Sequence, residues 1–218
     1  MRKMFAPLLA LTALMFVGAP FMIASAPYES TMLLVQKIFY FHVPSWFAMF
    51  TGVFVAGIGG VLFLARNDVR GDQVAVSASE IALVFGAMGL TSGPIWARKA
   101  WGVFWQWDAK LTIALLLELI FVAYLLLRKY GGAGSEKLAA AVALFGMAVV
   151  PFVYYAVNIW RTIHPNTNVI PSLVPGMRGP FWYCVVTFLL FFLVLLALRA
   201  RVERLRGDLD ELYRAEEA

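Results

Sequence analysis

Leu111-Thr-Ile-Ala-Leu-Leu-Leu-Glu-Leu-Ile-Phe-Val-Ala-Tyr-Leu-Leu-Leu127 is an unbroken apolar run whose single charge is Glu118. A helix rises about 1.5 Å per residue, so this run covers most of the roughly 30 Å hydrocarbon layer of a bilayer. Lipid offers no hydrogen-bond partners, and the run satisfies its own backbone as a helix. Five further runs of the same kind lie outward from it, at Ala6–Ala24, Trp46–Ala65, Glu80–Ile95, Leu138–Val157 and Phe181–Leu198. The chain therefore reads as an all-α polytopic membrane protein, a single six-helix membrane domain over residues 1–218. The third loop carries a tryptophan-rich interfacial segment, residues 96–112, and residues 199–218 form a charged tail.

Composition agrees. Hydrophobic residues make up 62% of the 218 and charged residues only 14%, where a soluble domain carries about 25% charged residues. Mean hydropathy is +0.79. Six spans leave short loops and no room for a large extramembrane domain. Cys184 is the lone cysteine, which excludes an intramolecular disulfide framework. The net charge of +5 reports loop charge and implies no nucleic-acid partner.

The first span resembles a signal peptide at its edges, with Arg2 and Lys3 before it and Ala24-Ser25-Ala26 after it. Its apolar stretch exceeds the roughly 7–15 residues of a signal core, and Pro27 disfavours cleavage, so a retained helix is expected. Orientation follows from Lys and Arg. Arg2, Lys3, Arg66, Arg70, Arg128, Lys129 and Lys137, with the five arginines of the tail, fall on one side. Lys37, Arg98, Lys99, Lys110, Arg161 and Arg178 fall on the other. The positive-inside rule places the first group, and both termini, in the cytoplasm.

All seven tryptophans flank the outward loops, whereas an ordinary aromatic belt decorates both interfaces. The third loop reads Trp96-Ala-Arg-Lys-Ala-Trp101-Gly102-Val-Phe104-Trp105-Gln-Trp107-Asp108-Ala-Lys110-Leu-Thr112. As a helix, it would set Trp101, Phe104, Trp105 and Asp108 on one face. That face is either an interfacial anchor or a platform for a flat aromatic ligand.

Both histidines share this side. His42 lies in Phe39-Tyr-Phe-His-Val-Pro44, just before a helix that Pro44 would start. His164 lies in Trp160-Arg-Thr-Ile-His-Pro165, just after a helix that Pro165 would stop. Either alone reads as an interfacial histidine bonded to loop backbone. Together, above an aromatic shelf, they suit the two axial positions of haem iron. A closed zinc site needs four ligands that this chain does not supply. With no CxxCH, the chain is not itself a c-type cytochrome. Haem propionates would find Lys110, Arg161 and Arg178 on the same side.

Other features rank lower. Glu118, inside a span, is a candidate functional group with no partner evident. Gly86, Gly89 and Gly93, with Gly52, Ala56 and Gly60, suit close helix packing. Cys184 reads as a packing residue. No G-x-x-x-x-G-K-[ST] loop occurs, so any ATP would be hydrolysed in another subunit.

Trp101-Gly-Val-Phe-Trp-Gln-Trp-Asp-Ala-Lys-Leu-Thr112 resembles the W-G-x-x-W-x-W-D-x-R-L-T signature of the WWD haem-handling proteins of cytochrome c maturation. Thr91-Ser-Gly-Pro-Ile-Trp96 matches upstream. Phe41-His42-Val43-Pro44 and Trp160-Arg-Thr-Ile-His164 resemble the histidine motifs of the C component, the CcmC family. The resemblance runs from about Tyr28 to Trp182. It departs at Lys110, where the family has arginine, so a propionate contact there is a point charge without a bidentate fork.

The resemblance implies a haem-transfer protein of the inner membrane rather than an enzyme. Haem b, as cargo, would sit at the outer face between His42 and His164. Trp96, Trp101, Gly102, Phe104, Trp105, Trp107 and Asp108 would form the surface shared with the haem chaperone CcmE. CcmD and the ABC-type pair CcmA and CcmB would be further partners. Two other readings stand beside it. One is a b-type electron-transfer subunit, which normally carries its histidines inside the spans. The other is a haem-free scaffold that binds only the chaperone. The orientation has a direct check: a reporter active only outside the membrane, fused after Ala218, is expected to be silent.

Overall fold

The structure, a computed structural model, describes residues 2–216. Six helices form: α1 Arg2–Ser25, α2 Phe39–Arg66, α3 Val69–Trp101, α4 Ala109–Tyr130, α5 Ser135–Ile159 and α6 Pro175–Glu216. Each is long and apolar enough to cross a membrane. Short 3-10 turns at Leu34–Ile38 and Thr167–Val169 lie in the loops before α2 and α6.

Small residues set the helix contacts. A Cβ on Gly52 would lie 2.9 Å from the Ala82 methyl, and one on Gly59 would overlap the Gly71 carbonyl at 2.5 Å. At the other end of the same seam Gly89 faces Trp46, and Gly93 faces His42. The register (42 beside 93, 59 beside 71) makes α2 and α3 antiparallel. On α2's other side Gly57 meets Met147, and Gly60 meets the Ala140 carbonyl, which brings α5 in. Phe121 packs on Gly146 to join α4 to α5. The expected packing role of Gly52, Gly60, Gly86, Gly89 and Gly93 is thus seen in their neighbours.

Helices α2, α3, α4 and α5 pack in a ring, with α6 against α2 and α3, and α1 against α6. Tyr183 donates to the Met15 carbonyl at 3.0 Å and fills the space left by Gly18. The ammonium of Lys37 donates to the Ile23 and Ala26 carbonyls at 2.5 Å each. A cation is favourable there, because the last carbonyls of a helix carry its negative dipole end. The alternating directions bring the start of α1 and the end of α6 to one end of the bundle. The seven tryptophans lie at the other.

The helices outrun the apolar runs that announced them. The third begins at Val69, eleven residues before Glu80, because Asp68 caps it: its carboxylate accepts from the Arg70 N–H at 3.0 Å. The early turns then bury polar groups, and Asp72 pairs with Arg128 of α4 at 2.8 Å. The charged tail is helical, continuing α6 without a break to Glu216. Hydropathy marks where a helix crosses lipid, and capping marks where it ends.

Glu118 is buried in α4, with its Oε2 in the space opposite Gly86 and no hydrogen-bond partner among the described residues. Cys184 is buried in the cluster that holds Phe39, Tyr40 and Phe181.

Gly60 tests the packing. A Gly60→Val side chain would meet the Ala140 carbonyl oxygen at 2.9 Å and its Cα at 3.4 Å, and backbone cannot swing aside. Overpacking of this kind costs about 1–3 kcal/mol. A lower thermal midpoint in detergent is expected. Gly179→Val, where nothing lies within 4 Å, leaves it unchanged.

Candidate functional site

His42 is not in a loop. The 3-10 turn Leu34–Ile38 runs directly into α2, which starts at Phe39, so Pro44 lies inside the helix rather than at its start. A proline this near an N-terminus removes few helical bonds. One of the two histidines thus lies within a spanning helix, the placement normal for b-type electron-transfer subunits. His42 is buried, with Gly93 opposite: a Cβ there would come within 3.1 Å of the imidazole Cε1. The edges of Trp96 and Trp46 hold the ring, with centroids 5.7 and 6.3 Å away.

The hydrogen bonds define the imidazole tautomers. His42 Nδ1 is 3.0 Å from Ser92 Oγ, and the Ser92 hydroxyl donates to the Met88 carbonyl at 2.7 Å. With its hydrogen committed, the hydroxyl oxygen accepts, so His42 Nδ1 donates, and in the neutral ring this leaves the lone pair on Nε2. His164 follows α5, as expected. Its Nδ1 is 3.0 Å from the Pro165 carbonyl, which can only accept. Its Nε2 therefore keeps a lone pair too. Burial, then the nearby Lys110 ammonium, push the His164 imidazole down to about 4, so it is neutral at neutral pH.

Both imidazoles line a cavity of about 380 Å³ in the tryptophan-rich half of the helix ring. That volume falls within the roughly 300–1,000 Å³ of ligand pockets. Trp96, Trp101, Phe104 and Trp105 contribute walls, and Trp101 lies against His164 with ring centroids 6.5 Å apart. Phe54 of α2 and Tyr154 of α5 line the cavity and are exposed. The cavity thus reaches the α2–α5 seam beyond the glycines that close its other half.

The third loop is not a helix. Gly102 takes φ +80°, a left-handed conformation that ends α3 at Trp101, and Asp108 caps the start of α4. A helix stop at Gly102 and a helix start at Asp108 leave 102–108 irregular. The segment 96–112 is therefore split between two helices and a short loop. Folding of that loop over the cavity, not helical periodicity, brings Trp101, Phe104 and Trp105 together. Trp105 stacks edge-on with Trp107 at 5.6 Å; Trp107 lies outside the cavity and is 75% exposed.

Asp108 ties two loops. One carboxylate oxygen accepts from the Leu111 N–H at 2.9 Å; the other accepts from the Thr162 hydroxyl at 2.5 Å and the Ile163 N–H at 3.2 Å. Thr162 Oγ1 in turn accepts from the His164 N–H at 3.0 Å. Of the three candidate propionate contacts, Lys110 lines the cavity and donates to the Val153 carbonyl at 2.6 Å. Arg161 is exposed, and Arg178 donates to the Leu173 carbonyl at 2.7 Å; both lie outside the cavity. Sequence reasoning missed Ser92 and Thr162. An acid three residues before the apolar Leu111 is a capping signal, but nothing local marks a serine fifty residues from its histidine.

Six alternating spanning helices, four of them enclosing a cavity at one end that two imidazoles line, define a polytopic membrane protein with a pocket between its helices. A family model for CcmC, heme exporter protein C, matches residues 1–214. The chain belongs to that family. It is 30% identical to heme exporter protein C of Bradyrhizobium diazoefficiens over 214 residues, 94% of this chain and 80% of the relative. Identity to the Haemophilus influenzae protein of that name is 27%, over 93% of this chain and 85% of the relative. For the Escherichia coli protein it is 30%, over 76% and 69%.

The Asp108 tie generates a test. Asp108→Ala removes a helix cap, a loss of about 1 kcal/mol, and frees the loop that carries His164. Faster backbone hydrogen exchange at residues 161–164 is expected. Asp108→Asn, which keeps a capping oxygen, changes it less.

Proposed function

We propose that the protein holds haem at the tryptophan-rich end of the bundle and passes it on during cytochrome c maturation. The family and its relatives carry the name heme exporter protein C. The observation that carries the reading is the pair of imidazoles lining one cavity, each with Nδ1 directed at an oxygen, which leaves Nε2 of the neutral ring free. A metal-binding histidine commonly donates its other ring N–H to a neighbouring oxygen, which fixes the tautomer and orients the ligand.

In this proposal His42 and His164 supply the two axial nitrogens. Trp96, Trp101, Phe104 and Trp105 bear on the flat ring, and Lys110 offers a cation to a propionate. Arg161 and Arg178 then meet only groups that extend beyond the cavity. Gly102, Trp107 and Asp108 belong to the loop at its rim, and the exposed Trp107 faces the acceptor, the haem chaperone CcmE. The cargo is haem b, as the family resemblance implies, and it is held without thioether attachment, since the chain has no cysteine pair. CcmD, CcmA and CcmB complete the assembly, and ATP is hydrolysed outside this chain. The tryptophan-rich end faces out of the inner membrane, with both termini in the cytoplasm. The chain orients and releases its cargo and acts as a carrier, not as an enzyme.

Absorption spectra of the purified protein test this. Wild type is expected to give a low-spin, six-coordinate spectrum. His42→Gly or His164→Gly is expected to lose most of the haem or to leave a high-spin remnant that added imidazole partly restores. Either variant keeping the full low-spin spectrum without imidazole overturns the two-histidine site. Ser92→Ala is expected to keep the low-spin spectrum with about 10-fold weaker haem affinity, the lower end of what loss of an orienting partner costs.

A further inference from the structure

Beyond the last lipid-facing turns, α6 continues as Arg199-Ala-Arg-Val-Glu-Arg-Leu-Arg-Gly-Asp-Leu-Asp-Glu-Leu-Tyr213 and on to Glu216. Along it Leu198, Val202, Leu205, Leu209 and Leu212 recur at alternating intervals of four and three. They are exposed by 46%, 44%, 54%, 52% and 63%. This is the spacing of a two-stranded coiled-coil seam, with Val202 and Leu209 at a, and Leu198, Leu205 and Leu212 at d. Gly207, at f on the far side of the helix, lies against Gln73 of α3, and Arg199, at e on one edge of the seam, pairs with Glu80 of α3 and with Glu203. The a and d side chains take no part in those contacts.

Two alternatives to a protein helix fit poorly. Arg199 to Glu216 rises about 26 Å at 1.5 Å per residue, in unbroken continuation of a spanning helix. It therefore leads away from the bilayer and does not lie along it. A second copy pairing in parallel would set Arg201, at g, against Arg206 of the other copy, at e, and like charges at these positions oppose association. Antiparallel pairing would match the basic first half with the acidic Asp208, Asp210 and Glu211, but two helices leaving the same face of one membrane run parallel.

We infer that this seam docks a helix of a different protein, one that leaves the same membrane face and runs parallel to α6. Its recognition chemistry follows from the edges of the seam. The occupant carries apolar residues at its own a and d positions. It carries carboxylates beside the membrane, opposite Arg201 and Arg206, and a cation one heptad further out, opposite Asp208. Two heptads are short for an isolated coiled coil, but both helices start from the same membrane surface, which raises their effective concentration.

The test uses the full-length protein in nanodiscs and two synthetic helices acylated at the N-terminus, so that each points away from the bilayer as α6 does. Both have leucine and isoleucine at d and a. One has glutamate at e and g in its first heptad and lysine in its second; the other has these reversed. Fluorescence transfer is expected to show at least 10-fold tighter binding of the first. Leu205→Ser with Leu209→Ser is expected to abolish that preference while the helical content of the protein is unchanged. Equal binding of the two helices, or binding of neither, overturns the inference. So does efficient disulfide dimerisation of a Cys184→Ser, Leu205→Cys protein in native membranes, which would assign the seam to a second copy.

Discussion

The close approach of α2 and α3 is the contact on which the other parts rest. Helices in lipid gain little from hiding apolar surface, so they associate where small side chains let backbones and neighbours interlock. Gly52, Gly59 and Gly71 do this along one half of the seam, and Gly89 and Gly93 along the other. The second half differs in what it admits. Where the first takes a methyl or a carbonyl, Gly89 takes the Trp46 indole and Gly93 the His42 imidazole. The glycines that join the helices also leave the slots in which an aromatic ring and a ligand nitrogen are held.

Polar groups in this frame are held by chains of bonds rather than by single contacts. His42 is oriented by Ser92, and Ser92 by the Met88 carbonyl one turn below. The backbone of His164 is held by Thr162, and Thr162 by Asp108 at the head of α4. The two imidazoles come from distant parts of the chain, yet each is anchored to the end of a spanning helix. Lys110, beside Asp108 in the same turn, reaches the Val153 carbonyl and so fastens α4 to α5 at the cavity. The tryptophan-rich loop runs between these anchors, held to α3 by Arg98, which donates to the Gly102 carbonyl and lies over the Phe104 ring. Its rings divide into those that face the cavity and Trp107, which faces out.

Sequence alone determined the number of spans, because a run of apolar residues in lipid has one way to satisfy its backbone. It also determined which end of the bundle collects the tryptophans and both histidines, because parity follows from counting spans. The motif around Trp101–Thr112 pointed to the family that the whole-chain match then showed. Tertiary structure decided what local pattern does not encode. Gly102 in a left-handed conformation and Asp108 as a cap overrode the helical spacing of the third loop, so its aromatic rings meet by folding rather than by periodicity. His42 moved from a loop into α2 because a 3-10 turn feeds the helix before its proline. Only the folded chain set Ser92 against His42, fifty residues apart, and so defined which nitrogen is free. Periodicity and parity are properties of the chain taken in order. A tautomer is a property of whichever oxygen lies beside the ring, and that is settled only when the helices pack.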